Sequence, residues 1–206
     1  MKTLDQIGIE QQTDKASVFT RTYAKPHGYL AHLEPFFEPL RKLPIKFLEI
    51  GVGGGESILT WLEYFPNASV LGIDNVKETN PWNITGVSPL EPRYTFVFGD
   101  QTDETFYKCF AVDYGDNWDV IIDDGGHYND QVIASMKGLF PLLRSGGLYV
   151  IEDLGTAYGS GSIFVKPEHP NHMDVLKAAI DSMNTNPEAP VRSMRFSREL
   201  VIIEKK

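Results

Sequence analysis

Acidic side chains follow two apolar runs of this chain, at positions where a bound ion would find oxygen ligands. Asp124 comes just after the run 118–122, and Glu152 and Asp153 come directly after 148–151. Carboxylates held close together repel one another unless a cation lies between them. Mg²⁺ prefers such oxygens, together with waters or substrate oxygens. These three acids are therefore candidate metal ligands; the alternative is that they cap the helices that follow.

His127 stands three residues after Asp124, on the loop that leads into the next predicted helix. An imidazole with a pKa near neutrality can take a proton from a reacting hydroxyl. We therefore assign catalysis to His127 together with Asp124. The alternative is a surface or core histidine, which is the more common role of a single histidine.

A glycine-rich turn follows the first apolar run of the chain. Glu49, Gly51, Gly53 and Gly55 have the spacing acid-x-Gly-x-Gly-x-Gly, and a helical pattern begins directly after them. Glycines at such a strand-to-helix turn let the backbone approach a ligand closely, and the amides that open the helix then face that ligand. The alternative is a loop that merely needs flexibility.

The turn departs from the dinucleotide-binding pattern G-x-G-x-x-G. The third glycine of that pattern would fall on Glu56 when counted from Gly51, and on Ile58 when counted from Gly53. Both substitutions count against a nicotinamide cofactor.

Two further acids end apolar runs at positions suited to a nucleoside. Asp74 follows the glycine turn by about 20 residues, where a carboxylate can accept hydrogen bonds from both ribose hydroxyls. Asp100, followed by Gln101, ends the next run and can accept a bond from an adenine amino group. A solvated acid at the end of a strand is the alternative for each.

Strand and helix patterns alternate along the chain and must position all of these residues. The fold class is α/β: a mostly parallel, seven-stranded Rossmann-like sheet with helices on both faces and a C-terminal antiparallel hairpin. In such sheets, ligands bind outside the carboxyl ends of the strands, where these acids stand. The predicted strands are 47–50, 69–73, 94–98, 118–122, 148–151, 191–196 and 200–204.

We predict one domain over residues 1–206, with a helical cover segment at 1–43 and the core at 44–206. Residues 1–28 are expected to be irregular, and a helix is expected at 29–40. Two long connections, 75–93 and 155–170, are candidate substrate walls. The side chains there that could stack on a sugar or an aromatic ring are Trp82, Tyr158, Phe164 and His169.

The composition limits the class of protein. A net charge of −9 over 206 residues argues against a nucleic-acid partner, because affinity for phosphates comes from Lys and Arg. No apolar run is long enough to cross a membrane, and the N-terminus lacks the apolar block of a secretory signal. The single cysteine, Cys109, suits a reducing cytoplasm, which is the expected location. The sequence leaves the oligomeric state open, a homo-oligomer included.

Six motifs occur in an order that resembles a known family. They are Thr13-Asp14-Lys15, His27-x-Tyr29, the Glu49-Ile-Gly51 turn, Gly99-Asp100-Gln101, Asp123-Asp124-Gly-Gly-His127 and Gly147-Leu-Tyr-Val-Ile-Glu152-Asp153. The turn resembles the first motif of class I S-adenosylmethionine (SAM) dependent methyltransferases. The whole set resembles the metal-dependent sugar O-methyltransferases of natural-product biosynthesis, of the macrolide deoxysugar and rhamnosyl types, over about residues 5–205.

The resemblance implies roles for the candidate residues. Asp124, Glu152 and Asp153 match its Mg²⁺ ligands, and His127 matches its general base. The positions assigned to SAM binding are Glu49, Gly51, Gly53, Asp74, Asp100, Gln101 and Asp123. The macrolide enzymes carry a large N-terminal auxiliary domain for which this chain has no room, and they tend to have Ser where Gly126 stands.

The predicted function is Mg²⁺-assisted transfer of a methyl group from SAM to a hydroxyl of a small acceptor, a sugar or another vicinal diol. A nicotinamide-dependent oxidoreductase is one alternative, and titration with NADH and with SAM would separate the two. A SAM- or nucleotide-binding regulator without catalysis is the other. His127 and the three acids speak against the regulator, because binding alone needs neither.

Overall fold

The computed structural model describes residues 1–21, 25–75, 91–158 and 170–206. Within these ranges, helices and strands alternate through much of the chain, as the sequence predicts. In chain order they are α1 (Leu4–Gln11), α2 (Tyr29–Phe37), β1 (Lys46–Ile50), α3 (Glu56–Tyr64), β2 (Ser69–Asp74), β3 (Tyr94–Phe98), α4 (Glu104–Tyr114), β4 (Trp118–Asp123), α5 (Asn129–Leu139), β5 (Leu143–Ile151), α6 (His172–Thr185), β6 (Val191–Ser197) and β7 (Leu200–Lys205).

The seven strands form one mixed sheet in the order β3-β2-β1-β4-β5-β7-β6. β2 pairs with β3 and β4 pairs with β5 in parallel, whereas β7 pairs antiparallel with both β5 and β6. The predicted fold class, including the C-terminal antiparallel hairpin, is confirmed.

The chain divides into two compact units, one over Met1–Phe47 and Val52–Phe98 and the other over Leu48–Gly51 and Gly99–Lys206. We call them the first and the second unit. The prediction of one domain over 1–206, with its cover segment at 1–43, stays a prediction, as does the oligomeric state. Within the described ranges, no helix has the length and apolarity that crossing a membrane requires.

The first unit has an aromatic core between helices and strand. Phe37 of α2, Phe47 of β1, Trp61 of α3 and Phe65 are all fully buried. Their ring centroids lie between 5.1 and 6.1 Å apart. Burying such rings is among the largest stabilising contributions that a small core offers.

The prediction that residues 1–28 are irregular is wrong, because helix α1 forms there. The hydroxyl of Thr3 accepts a bond from the amide of Gln6, whose side chain accepts one from the amide of Thr3. This capping box stabilises the start of the helix. Leu4 and Ile7 are buried, so the short apolar pattern is enough to hold α1 against its neighbours.

In the second unit, β5 is longer than predicted. The predicted strand covers 148–151, but residues 145–147 also lie inside β5, as a bulge where the register against β4 shifts. Gly146 has a φ of +72°, and a Cβ on Gly147 would lie 2.9 Å from the carbonyl oxygen of Trp118. Glycines at this bulge interrupt the apolar pattern, which explains why the pattern shows the strand only from residue 148 onward.

Candidate functional site

In the first unit, Asp74 is bonded to the glycine turn. Its Oδ2 accepts hydrogen bonds from the amides of Val52, at 2.9 Å, and Gly53, at 3.2 Å. The side chain therefore fixes the turn from the end of β2, where the sequence placed it as a ribose-binding acid. Helix α3 begins after Gly55, an N-cap residue that has no side chain to cap the helix. Arg21 forms an ion pair with Glu56 in the first turn of that helix.

In the second unit, Gly51 lies where the end of β1 meets the end of β4. The amide of Asp124 donates to the carbonyl of Ile50 at 3.0 Å. Gly51 has a φ of +85°, and a Cβ there would lie 1.9 Å from the carbonyl oxygen of Asp124. Only glycine fits at position 51, because the backbone of Asp124 occupies the space that a side chain would need. Glu49 is fully buried in β1.

A group of three titratable side chains stands beyond the ends of β4 and β5. Ligand atoms of Asp124, His127 and Asp153 all lie within 4.8 Å of one another. His127 Nε2 is 3.4 Å from Asp153 Oδ2 and 3.9 Å from Asp124 Oδ1, and each side chain is about a quarter exposed. Glu152, the third predicted ligand, is outside this group and buried. We call Asp124, His127 and Asp153 the acid–histidine group.

Two members of the acid–histidine group have unusual backbone conformations. His127 has a φ of +60° and Asp153 a φ of +55°, in the left-handed region that non-glycine residues seldom adopt. Thr156 supports both, because its hydroxyl lies 2.8 Å from the carbonyl oxygen of Asp153 and 3.2 Å from that of His127. Such strain persists only where surrounding contacts hold it, and it is often found at functional sites.

The sequence assigns both Asp123 and Gln101 to cofactor binding. In the second unit, both side chains are buried and form hydrogen bonds with the loop after β4. Burial raises the pKa of Asp123 to about 6, against the opposing effects of the Ser135 hydroxyl, His127 and the amide of Gly125. Gln101 Oε1 accepts a bond from the amide of Gly126 at 2.7 Å. Their assignment to a cofactor stays a prediction.

Asp100 is exposed and bonded within its own turn. Its Oδ1 accepts from both the amide and the hydroxyl of Thr102 at 2.8 Å. Of the predicted acceptor-facing side chains, Tyr158 is exposed, whereas Trp82, Phe164 and His169 lie outside the described residues.

Sequence reasoning missed two residues that hold this site together. Thr156 follows Asp153 by three positions, a spacing at which a hydroxyl can bond back to the carbonyl of the acid. Ser135 is fully buried in α5, and nothing in its neighbourhood along the sequence marks it. Its partner Gln101 comes from another part of the chain.

This chain matches a family model, two curated relatives and a solved structure. Residues 48–154 match the model of a family described as "Methyltransferase domain". Mycinamicin VI 2''-O-methyltransferase of Micromonospora griseorubida is 35% identical over 189 residues, which are 85% of this chain and 45% of that protein. Demethylmacrocin O-methyltransferase of Streptomyces fradiae is 33% identical over 197 residues, 89% and 47% of the two chains.

Among solved structures, the MycE methyltransferase of mycinamycin biosynthesis, in complex with Mg, SAH and mycinamycin VI, superposes with a TM-score of 0.81. It is 28% identical, and the match covers 99% of this chain and 54% of that one. The present chain thus spans about half the length of the curated relatives that it matches.

Proposed function

Because the chain belongs to the methyltransferase-domain family, we propose that it transfers a methyl group from SAM to a hydroxyl oxygen of a small acceptor with the help of a divalent cation, Mg²⁺. The acceptor class that we propose is a sugar of a natural product. Two relatives that each match more than four fifths of this chain are named as O-methyltransferases, one of mycinamicin VI and one of demethylmacrocin.

The acid–histidine group is the observation that carries this proposal. Two carboxylates and an imidazole converge within 4.8 Å, at the ends of neighbouring parallel strands. Two carboxylates at that distance favour a cation between them, and carboxylate oxygen is the ligand that Mg²⁺ prefers. The residues present therefore fit the cation. Asp124 and Asp153 would hold it, with Glu152 as the third predicted ligand. When bound, the cation would polarise the acceptor hydroxyl as a Lewis acid.

His127 has the position of the general base. The acceptor oxygen forms a bond to the methyl carbon as the carbon–sulfur bond of SAM breaks, and the electron pair leaves with the sulfur. The hydroxyl proton passes to His127 Nε2. Asp153 Oδ2, 3.4 Å from that nitrogen, compensates the positive charge that the ring acquires.

Two acids would bind the nucleoside of SAM. Asp74 would accept bonds from the ribose hydroxyls while it fixes the glycine turn, which supports a preformed site. Asp100, which is exposed, would accept from the adenine amino group. For Glu49, Gly51, Gly53 and Asp123, the structure favours a supporting role through burial, backbone geometry and hydrogen bonds.

The test is transfer of a labelled methyl group from SAM to a panel of glycosides, by the unaltered chain and by His127→Ala. We expect the variant to lose about 10²–10⁴-fold in kcat and to keep its affinity for S-adenosylhomocysteine (SAH) in calorimetry. His32→Ala, at an exposed position of α2, is the matched control and should keep full activity. No transfer to any glycoside, or binding of NADH in place of SAH, would contradict the proposal.

A further inference from the structure

The loop that joins β4 to α5 carries Asp124 and His127, and two glycines separate them. A Cβ on Gly125 would lie 2.3 Å from Gln101 Oε1, and one on Gly126 would lie 2.1 Å from Gln131 Oε1. A real Cβ atom does not come so close to another heavy atom. The loop backbone therefore contacts the side-chain amide groups of two glutamines. The loop is therefore closely packed against those side chains.

Gln101 uses both ends of its amide in this contact. Oε1 accepts from the amide of Gly126 at 2.7 Å, and Nε2 donates to Ser135 Oγ at 2.9 Å. Ser135 in turn donates to the carbonyl of Gln131 at 2.8 Å, one helical turn back in α5. The backbone of Gln101 is fixed as well, since the hydroxyl of Tyr107 donates to its carbonyl at 3.0 Å.

Burial makes the hydrogen bonds of Gln101 and Ser135 costly to lose. Gln101 is 7% exposed and Ser135 is fully buried. A buried polar group that loses its partner costs the full penalty of its desolvation. The amide of Gly126 therefore has one favourable position, which Gln101 sets. That amide precedes His127, whose left-handed backbone has to be held by its neighbours.

From these contacts we infer that Gln101, supported by Ser135, is a positioning residue that holds the loop and thereby places Asp124 and His127 for metal binding and proton transfer. This inference rests on the proposed function and deepens it. It differs from the role that the resemblance implies for Gln101, a direct contact to SAM. Partners behind a metal ligand commonly control its orientation, and their loss costs about 10- to 100-fold in metal affinity or activity.

The test compares Gln101→Met with the unaltered chain. Methionine keeps the length of the side chain and loses both hydrogen bonds. We expect Mn²⁺, used as a probe for the metal, to bind about 10- to 100-fold more weakly in calorimetry, with kcat lowered to a similar degree. SAH affinity should stay close to that of the unaltered chain, since the lost hydrogen bonds are in the loop and not in the nucleoside site.

Two further variants separate positioning from a general loss of stability. Ser135→Ala removes the hydrogen bond behind Gln101 and leaves the bond from Gly126 to Gln101 in place, so its effect on Mn²⁺ affinity should have the same direction and a smaller size. If Gln101→Met does not fold, the Mn²⁺ affinity of Ser135→Ala tests the inference in its place. Trp118→Phe is the matched control, because it loses one hydrogen bond, from Nε1 to the carbonyl of Gly115 at 3.2 Å, at the other end of β4. It should bind Mn²⁺ as the unaltered chain does.

Equal Mn²⁺ affinity in the unaltered chain, Gln101→Met and Ser135→Ala would overturn the inference while leaving the proposed function intact. A loss of SAH affinity with normal Mn²⁺ affinity would overturn it in favour of a direct SAM contact. An unaltered chain that binds no Mn²⁺ and transfers no methyl group would overturn both proposals together.

Discussion

Replacing His172 with leucine should change how the stability of this protein depends on pH. His172 is the first residue of α6 and is 2% exposed. Among the residues that the structure describes, neither of its ring nitrogens has a hydrogen-bond partner, although its backbone amide donates to Asn129 Oδ1 at 3.0 Å. Burial lowers the pKa of His172 from its ordinary value of 6.5 to about 4, and the charge of His127 contributes in the same direction.

The sign and size of the effect follow from proton linkage. The unfolded chain takes up a proton at His172 as the pH falls below 6.5, whereas the folded chain does so only near pH 4. Stability that is fully present above pH 6.5 is therefore lost as the pH falls towards 4. A pKa difference of this size corresponds to about 3 kcal/mol in total, most of it lost by about pH 4.5.

The assay is urea unfolding at about pH 7.5 and about pH 4.5, with a chelator present in both. The free energy of unfolding should fall by about 2.5 kcal/mol less in His172→Leu than in the unaltered chain. At the higher pH the variant should be at least as stable, because it removes two buried ring nitrogens that have no hydrogen-bond partner within the described ranges. The matched control is His32→Leu, at an exposed position, which should fall as the unaltered chain does. An equal fall in His172→Leu and the unaltered chain would refute this reasoning.

Three other predictions concern the proposed chemistry. Asp74→Ala should weaken SAH binding by about 1.5–3 kcal/mol, measured by calorimetry; unchanged affinity would remove Asp74 from the site. Thr156→Val should lower kcat by about 10-fold or more, because the carbonyls of His127 and Asp153 lose a shared donor. Thr156→Ser keeps the hydroxyl and should keep the kcat of the unaltered chain. Equal kcat in the valine and serine variants would show that the hydroxyl has no role. An acceptor with two neighbouring hydroxyls should have a higher kcat/KM than its mono-deoxy analogue, because octahedral Mg²⁺ leaves positions for substrate oxygens beside its carboxylate ligands. Equal values would point to simple alcohols or phenols.

Strands β1 to β5 could be predicted from the sequence because each is a short apolar run followed by a glycine or an acid. Asp74 stands directly after such a run, and Asp124 and Asp153 stand one residue further on, so the same pattern located the candidate site. Parallel strands end at one edge of a sheet, which is why residues far apart in the chain could be expected to meet. The structure brings Asp124, His127 and Asp153 together and leaves Glu152 out of that group.

What the sequence did not reveal depends on contacts between distant residues. The bonds of Gln101 to Gly126 and Ser135 span 25 and 34 positions, and no local pattern encodes them. Helix α1 was missed for a different reason. It is only eight residues long, so its apolar residues are too few to show a helical period, and the Thr3 to Gln6 capping spacing was its one visible signal.

The central claim, methyl transfer from SAM that depends on a divalent cation, is tested most directly by one assay. Transfer of labelled methyl from SAM to a glycoside with vicinal hydroxyls is measured after exhaustive chelation and again after Mg²⁺ is returned in excess. The acid–histidine group predicts that transfer is lost in the chelator and restored by Mg²⁺. Undiminished transfer in the chelator would contradict a metal role for Asp124 and Asp153.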